Sequence, residues 1–222
     1  MFSTVLQLQA KNILELGVLF GESTLSLLLG AFVTGGEVHS VDIQRPFFEP
    51  PTLVEEKWHF HHAYSLAYLR SLPADVYLDL VWLDDLHDYE HVKEEIRLLA
   101  PHLHSSSIVL LHDTMMGHPG VGLSELFRRD GDGSVIINED DLSSAPYHYL
   151  ETQIDWDSFE RTFNSTDFKN GGPYHALLDL PREAWEWATV PTCCGMTLLR
   201  MKSGAPPLPK WQRRLGPDGY YR

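Results

Sequence analysis

Short apolar runs and segments of helical spacing alternate along the first half of the chain. Residues 12–16 (NILEL) form an apolar run that Gly17 ends, and this reads as a buried strand. Residues 21–33 (GESTLSLLLGAFV) then place Leu25, Leu28, Leu29 and Phe32 at helical spacing, until Gly35-Gly36 breaks the pattern. Residues 37–43 (EVHSVDI) alternate and end in an acid, so a second strand is expected. Three prolines within 45–51 make a loop, because proline cannot donate to a strand ladder. WHFHHAY (58–64) reads as a third strand and 65–72 as a helix. LDLVWLD (79–85) is apolar on both faces, as a central parallel strand should be. Residues 89–100 form the clearest amphipathic helix, with Tyr89, Val92, Ile96 and Leu99 along one face. SIVLLHDT (107–114) is a fifth strand, and 121–129 has the look of another helix.

Strand–helix alternation over this length predicts an α/β domain: a Rossmann-like, doubly wound sheet of about seven strands, mostly parallel with an antiparallel last strand at 193–202. Ligands of such sheets sit at the carboxyl ends of the strands. Glu15, Asp42, Asp84 and Asp113 all fall at or just past those ends. After about residue 130 the pattern is lost. Residues 135–190 are aromatic-rich without clear periodicity and read as an insertion capping the sheet rim. Residues 1–202 are expected to form one domain, with a proline-rich basic tail over 203–222.

Composition adds exclusions. The 222 residues suit one full domain, and 43% hydrophobic with 22% charged is ordinary globular usage. A net charge of −14 disfavours a nucleic-acid partner. No apolar run is long enough to span a membrane, and the first residues lack a basic, then apolar, leader pattern. The two cysteines, Cys193 and Cys194, are adjacent and imply no disulfide framework, so a reducing cytoplasmic setting is expected.

Two motifs carry chemistry. LELGVLFGEST (14–24) is a strand, then E-x-G-x-x-x-G, then a helix start. Gly17 permits a tight turn, Gly21 a close backbone approach, and Ser23 and Thr24 offer hydroxyls at the helix start. Glu15 stands where the dinucleotide fingerprint has its first glycine, so a cationic group fits here better than a pyrophosphate. Asp42 follows Gly17 by 25 residues and can accept from both hydroxyls of a ribose. A third stretch, LDLVWLDDLHDYEHVKEE (79–96), brings Asp84, Asp85, His87, Asp88 and His91 together. HFHH (59–62) looks like a metal tract, but strand alternation puts His59 and His61 on one face and His62 on the other, which speaks against a three-ligand site within it.

With these motifs in order, the sequence resembles class I S-adenosylmethionine-dependent methyltransferases. The nearest pattern is the small-molecule O-methyltransferase group that includes catechol O-methyltransferase and cephalosporin-hydroxylase-like enzymes. The resemblance covers roughly residues 12–130 and the last strand. It implies S-adenosylmethionine as cofactor, with Gly17, Gly21 and Ser23 near its methionine part, Glu15 close to the glycine turn, and Asp42 on the ribose with Ile43 beside it. Ala63 and Tyr64 would lie near the adenine, although Tyr64 departs from the small polar residue usual there. Asp84, also close to the cofactor, and Asp113 would hold a divalent ion such as Mg2+. His112 is a third candidate ligand that would suit Mn2+, Fe2+ or Zn2+ better, and Thr114 stands where catechol-type members often carry Asn.

His87 takes the position of the catalytic lysine of catechol-type members and is the candidate base. Asp85 and Asp88 read as outward or helix-capping acids, and His91 as a surface residue. His118 lies in a loop near Asp113. The implied reaction is O-methylation of a small-molecule hydroxyl, with the pocket covered by residues 135–190 or by a second subunit in a homodimer. Rival readings are a metal-independent methyltransferase, a metal-dependent hydrolase or oxygenase using Asp85, His87, His112 and Asp113, and a cofactor-binding module without turnover.

Overall fold

A computed structural model describes residues 1–87, 89–114, 127–129, 135–137, 172–190 and 195–204. The readings of Asp88, His118, Cys193, Cys194, most of the 135–190 insertion and the tail beyond 204 lie outside these residues.

Nine strands and five helices are described. They are α1 (Phe2–Leu8), β1 (Asn12–Leu16), α2 (Glu22–Thr34), β2 (Glu37–Asp42), β3 (Trp58–His62), α3 (Ser65–Ser71), β4 (Leu78–Leu83), α4 (Tyr89–Leu99), β5 (Leu103–His112), β6 (Phe127–Arg129), β7 (Val135–Ile137), α5 (Gly172–Leu178), β8 (Trp185–Val190) and β9 (Met196–Met201). Seven strands form one sheet in the order β3-β2-β1-β4-β5-β9-β8, and β6 and β7 pair separately. β1 to β5 are mutually parallel, and β9 runs antiparallel to both its neighbours. The chain therefore winds outward from β1 in both directions, and the gap between β1 and β4 is the topological switch point where such sheets bind ligands.

Side chains alternate between two buried faces along the central strands. Leu14, Leu16, Val41, Val81, Leu83, Val109 and Leu111 face a core closed by α3, α4 and α5. Ile13, Val38, Leu80, Trp82 and Leu110 face a second core under α1 and α2. The two layers explain why the central strands read as continuously apolar.

Three elements differ from the sequence reading. α1 was not anticipated. Only Val5 of its seven residues is fully buried, too little to show a periodicity. Gly30 of α2 admits it, since a Cβ there would fall 2.7 Å from the Val5 side chain. A mid-helix glycine costs about 1 kcal/mol relative to alanine, and here it permits close helix contact. Second, residues 127–129 are strand, not the end of a helix. Third, residues 172–190 of the expected cap contribute to the domain core. α5 packs Ala176 and Leu177 against α4, and Trp185 of β8 is almost fully buried at the sheet's far side.

Candidate active site at the switch point

The glycine turn between β1 and α2 lies directly against the end of β4. The Gly17 N–H donates to Val41 O at 2.9 Å, and the Asp84 N–H to Leu16 O at 2.9 Å. A Cβ on Gly17 would meet the Asp84 carbonyl oxygen at 2.3 Å, and its φ of +87° is left-handed. Leu19 also has positive φ, 46°, and Gly21 has 75°. Such backbone needs a partner to hold it, and Asp42 is that partner. Its Oδ2 accepts from the Val18 and Leu19 N–H groups at 2.9 and 3.3 Å, while among the described residues Oδ1 accepts from the Gln44 N–H alone, at 2.8 Å. A carboxylate oxygen has two acceptor sites, so Oδ1 retains capacity for a further donor.

Glu15 is not on the rim. It is fully buried beneath the turn, where it accepts from Ser23 Oγ at 2.6 Å, Thr24 Oγ1 at 2.8 Å and Ser40 Oγ at 2.5 Å. Burial pushes its carboxyl up to about 7, against the pull of those hydroxyls. The Ser23 and Thr24 hydroxyls thus donate inward. Gly21 likewise accommodates the Phe48 ring, which a Cβ would overlap at 2.2 Å. Any role of these three positions in cofactor binding runs through the shape of the turn.

Across the switch point, β4 and β5 deliver the acids. Asp84, His87 and Asp113 bring one potential ligand atom each within 4.8 Å of one another. His87 Nε2 stands 3.5 Å from Asp84 Oδ1 and 3.3 Å from Asp113 Oδ2. His112 Nδ1 lies 3.1 Å from Asp84 Oδ1 and 3.0 Å from Asp113 Oδ1. Hydrogen bonds to Asp113 and Asp84 push His112 up to about 10. Burial pulls His87 down, but Asp84 and Asp113 raise it above the ordinary imidazole range. Burial would raise Asp84, yet His112 and His87 hold it low. Asp113 itself sits at φ 53°, a conformation that costs a non-glycine residue about 1–2 kcal/mol and concentrates at functional sites. Thr114 is turned away: it is buried and accepts from Thr197 Oγ1 at 2.9 Å.

His91 and Asp85 form a second centre, and both correct the sequence reading. His91 is buried, not superficial. Its Nε2 is 3.1 Å from Asp85 Oδ2, Glu95 Oε1 and Ser65 Oγ alike, and its Nδ1 is 3.1 Å from Tyr64 OH. Against the effect of burial, Asp85 and Glu95 hold His91 up to about 11. Burial and then the Asp85 charge push Glu95 up to about 8. The consistent protonation state is His91+ with Asp85− and a neutral Glu95, which leaves no net charge buried. Asp85 is thereby engaged away from His112 and Asp113, which separates the four residues of the hydrolase or oxygenase reading. Glu95 was missed, although the i,i+4 pair His91–Glu95 beside the apolar face of α4 was the available signal.

Three large apolar residues stand exposed on the rim: Leu19 after β1, Ile43 after β2 and Tyr64 after β3. They line the carboxyl ends of three adjacent strands, where a planar apolar group would cover them. Ala63 is half-buried below, its N–H bonded to Asp42 O.

A family profile described as "Methyltransferase domain" matches residues 14–114, the span that builds this rim. Over that span the sequence is similar to methyltransferase domains. No curated protein matches the sequence. Solved structures share the fold at low identity. The O-methyltransferase of Bacillus cereus in complex with SAH is 12% identical over 90% of this chain and 78% of that one, with a TM-score of 0.53. The O-methyltransferase TomG of Streptomyces achromogenes, involved in tomaymycin synthesis and solved with SAM, is 15% identical over 91% and 78%, with a TM-score of 0.57. An SAH-bound methyltransferase of Podospora anserina is 18% identical over 91% and 76%, with a TM-score of 0.54. These structures share the fold of this chain. Among the described residues, no helix is long and apolar enough to cross a membrane.

Proposed function

We propose that this protein transfers a methyl group from S-adenosylmethionine to a hydroxyl oxygen of a small-molecule acceptor, assisted by a divalent cation at Asp84, Asp113 and His87. The carrying observation is the convergence of these three side chains at the switch point, beside the turn that Asp42 holds. Two carboxylates and one imidazole are a donor set that fits a hard or borderline cation with open positions for an acceptor oxygen. Bound there, the cation would acidify the acceptor hydroxyl and offset the carboxylate charge that keeps both imidazoles protonated.

The chain's own groups have separable tasks. Asp42 Oδ1 accepts from a ribose hydroxyl while Oδ2 keeps the turn closed. Leu19, Ile43 and Tyr64 cover the adenine. His87 lies between the two carboxylates, so it fits the ligand role better than the base role that its spacing suggests. His112 has Nδ1 fixed by Asp84 and Asp113, and among the described residues no hydrogen bond engages its Nε2. That arrangement orients an imidazole for proton transfer from a bound hydroxyl.

The two histidines can be told apart. His87→Ala should weaken cation binding measured by calorimetry. His112→Ala should keep cation and cofactor binding but lose turnover. The reverse pattern would restore His87 as base. The acceptor reading is tested with hydroxylated aromatic compounds, and transfer to amines instead of hydroxyls would overturn it.

A further inference from the structure

The tract HFHH gains its meaning from the neighbouring strand. β2 and β3 are parallel with His39 opposite His59 and Val41 opposite His61. Alternation puts Glu37, His39, His59 and His61 on one face of this edge pair. The His39 and His59 rings stack with centroids 4.7 Å apart, and those of His39 and His61 stack at 5.4 Å. Glu37, His39 and His59 each present a donor atom, all within 4.8 Å of one another. His39 Nδ1 is 3.1 Å from His61 Nε2, and His59 Nε2 is 3.3 Å from Glu37 Oε2.

The 3.3 Å between His59 Nε2 and Glu37 Oε2 is that of neighbouring donors in a tetrahedral zinc shell. Zn–N and Zn–O bonds of about 2.0–2.1 Å place neighbouring donors about 3.3 Å apart. His59 Nε2 is shielded from solvent and makes no hydrogen bond despite its nearness to Glu37. A buried imidazole nitrogen without a partner is an unusual expense, and a cation between the strands would remove it. Two imidazoles and one carboxylate, with a position left for water, suit Zn2+ and neighbouring transition ions better than Mg2+. His39 lies three residues before Asp42 on β2, about 10 Å from the rim at the rise of a strand, so this cluster is separate from the centre at Asp84. β3 is also the edge of the sheet, which gives an ion an open approach.

We infer that Glu37, His39 and His59 form a second metal site, which takes Zn2+ and ties edge strand β3 to β2, with His61 bonded to His39 beside it. The competing explanation is a ladder of stacked neutral imidazoles with no ion.

The test uses the full chain carrying Asp113→Asn, stripped with chelator and titrated with Zn2+ in excess Mg2+. Under these conditions the carboxylate-rich centre is disabled and Mg2+ does not compete for imidazole. One saturable Zn2+ per chain is expected, with a rise in melting temperature on loading. His39→Gln and His59→Gln should each weaken that affinity by about 100-fold or more, a loss at least as large as removing an outer-shell partner causes. Both variants must keep wild-type circular dichroism, and His62→Gln, on the opposite face, should bind as the parent does. Absence of saturable Zn2+ binding, or unchanged affinity in His39→Gln and His59→Gln, overturns the site.

Discussion

Replacing Glu15 with glutamine should change how stability depends on pH. The carboxyl titrates near 4.5 when exposed and about 7 in the folded protein, because it is sealed beneath α2. A proton is therefore bound more tightly in the folded state than in the unfolded state. The stability this provides is complete below pH 4.5 and is lost as the pH rises towards and through 7. The shift of about 2.5 units corresponds to about 3 kcal/mol in total, at 1.36 kcal/mol per unit. Roughly 2 kcal/mol of that falls between pH 5 and pH 8, because the unfolded carboxyl is already partly ionised at pH 5. Glutamine has nearly the same shape and does not titrate. The assay is urea unfolding of wild type and Glu15→Gln at both pH values. His91, Glu95 and His112 titrate in both proteins, so their contributions cancel in the difference. Wild type should lose roughly 2 kcal/mol more than Glu15→Gln on going from pH 5 to pH 8. Equal losses would show that Glu15 is ionised in the fold, and the reading of its burial would be wrong.

Gly17→Ala should cost well over 2 kcal/mol in thermal or urea unfolding, because it combines a left-handed φ with backbone overlap against Asp84. Wild-type stability in that variant would contradict the turn geometry. Asp42→Ala should weaken S-adenosylmethionine binding by ten-fold or more, about 1.4 kcal/mol, by loosening Val18 and Leu19 as well as removing an acceptor. Unchanged affinity by calorimetry would remove Asp42 from the site. His91→Ala should destabilise by about 3–5 kcal/mol at neutral pH, since it strands the Asp85 carboxylate without its cation. A loss below about 1 kcal/mol would mean that water or a proton replaces it without difficulty.

The parallel core was legible because β1, β4 and β5 carry apolar runs, β2 alternates, and α2 and α4 lie between them with helical spacing. Their ends were set by features visible in the sequence, such as Gly17 closing β1 and Pro101 following α4. α1 was not legible, since its packing depends on one valine meeting a glycine 25 residues on. At the site, the strand-end rule picked out Asp42, Asp84 and Asp113 correctly as rim acids. It misplaced Glu15, one residue before the strand's last, because alternation turns that side chain into the layer beneath α2. His91 seemed superficial because polar residues on an amphipathic helix ordinarily face water. Its burial required Asp85 and Ser65 from other elements, which spacing within α4 does not reveal. The neighbours of the HFHH tract were hidden for the same reason, as Glu37 and His39 come from β2.

The central claim is tested most directly by following SAH formation from S-adenosylmethionine with a panel of hydroxylated aromatic acceptors, with and without divalent cation. The account predicts SAH release that requires an acceptor hydroxyl, stops in EDTA, returns with added Mg2+ or Mn2+, and is absent in Asp113→Asn. Undiminished turnover in EDTA by both wild type and Asp113→Asn would contradict it.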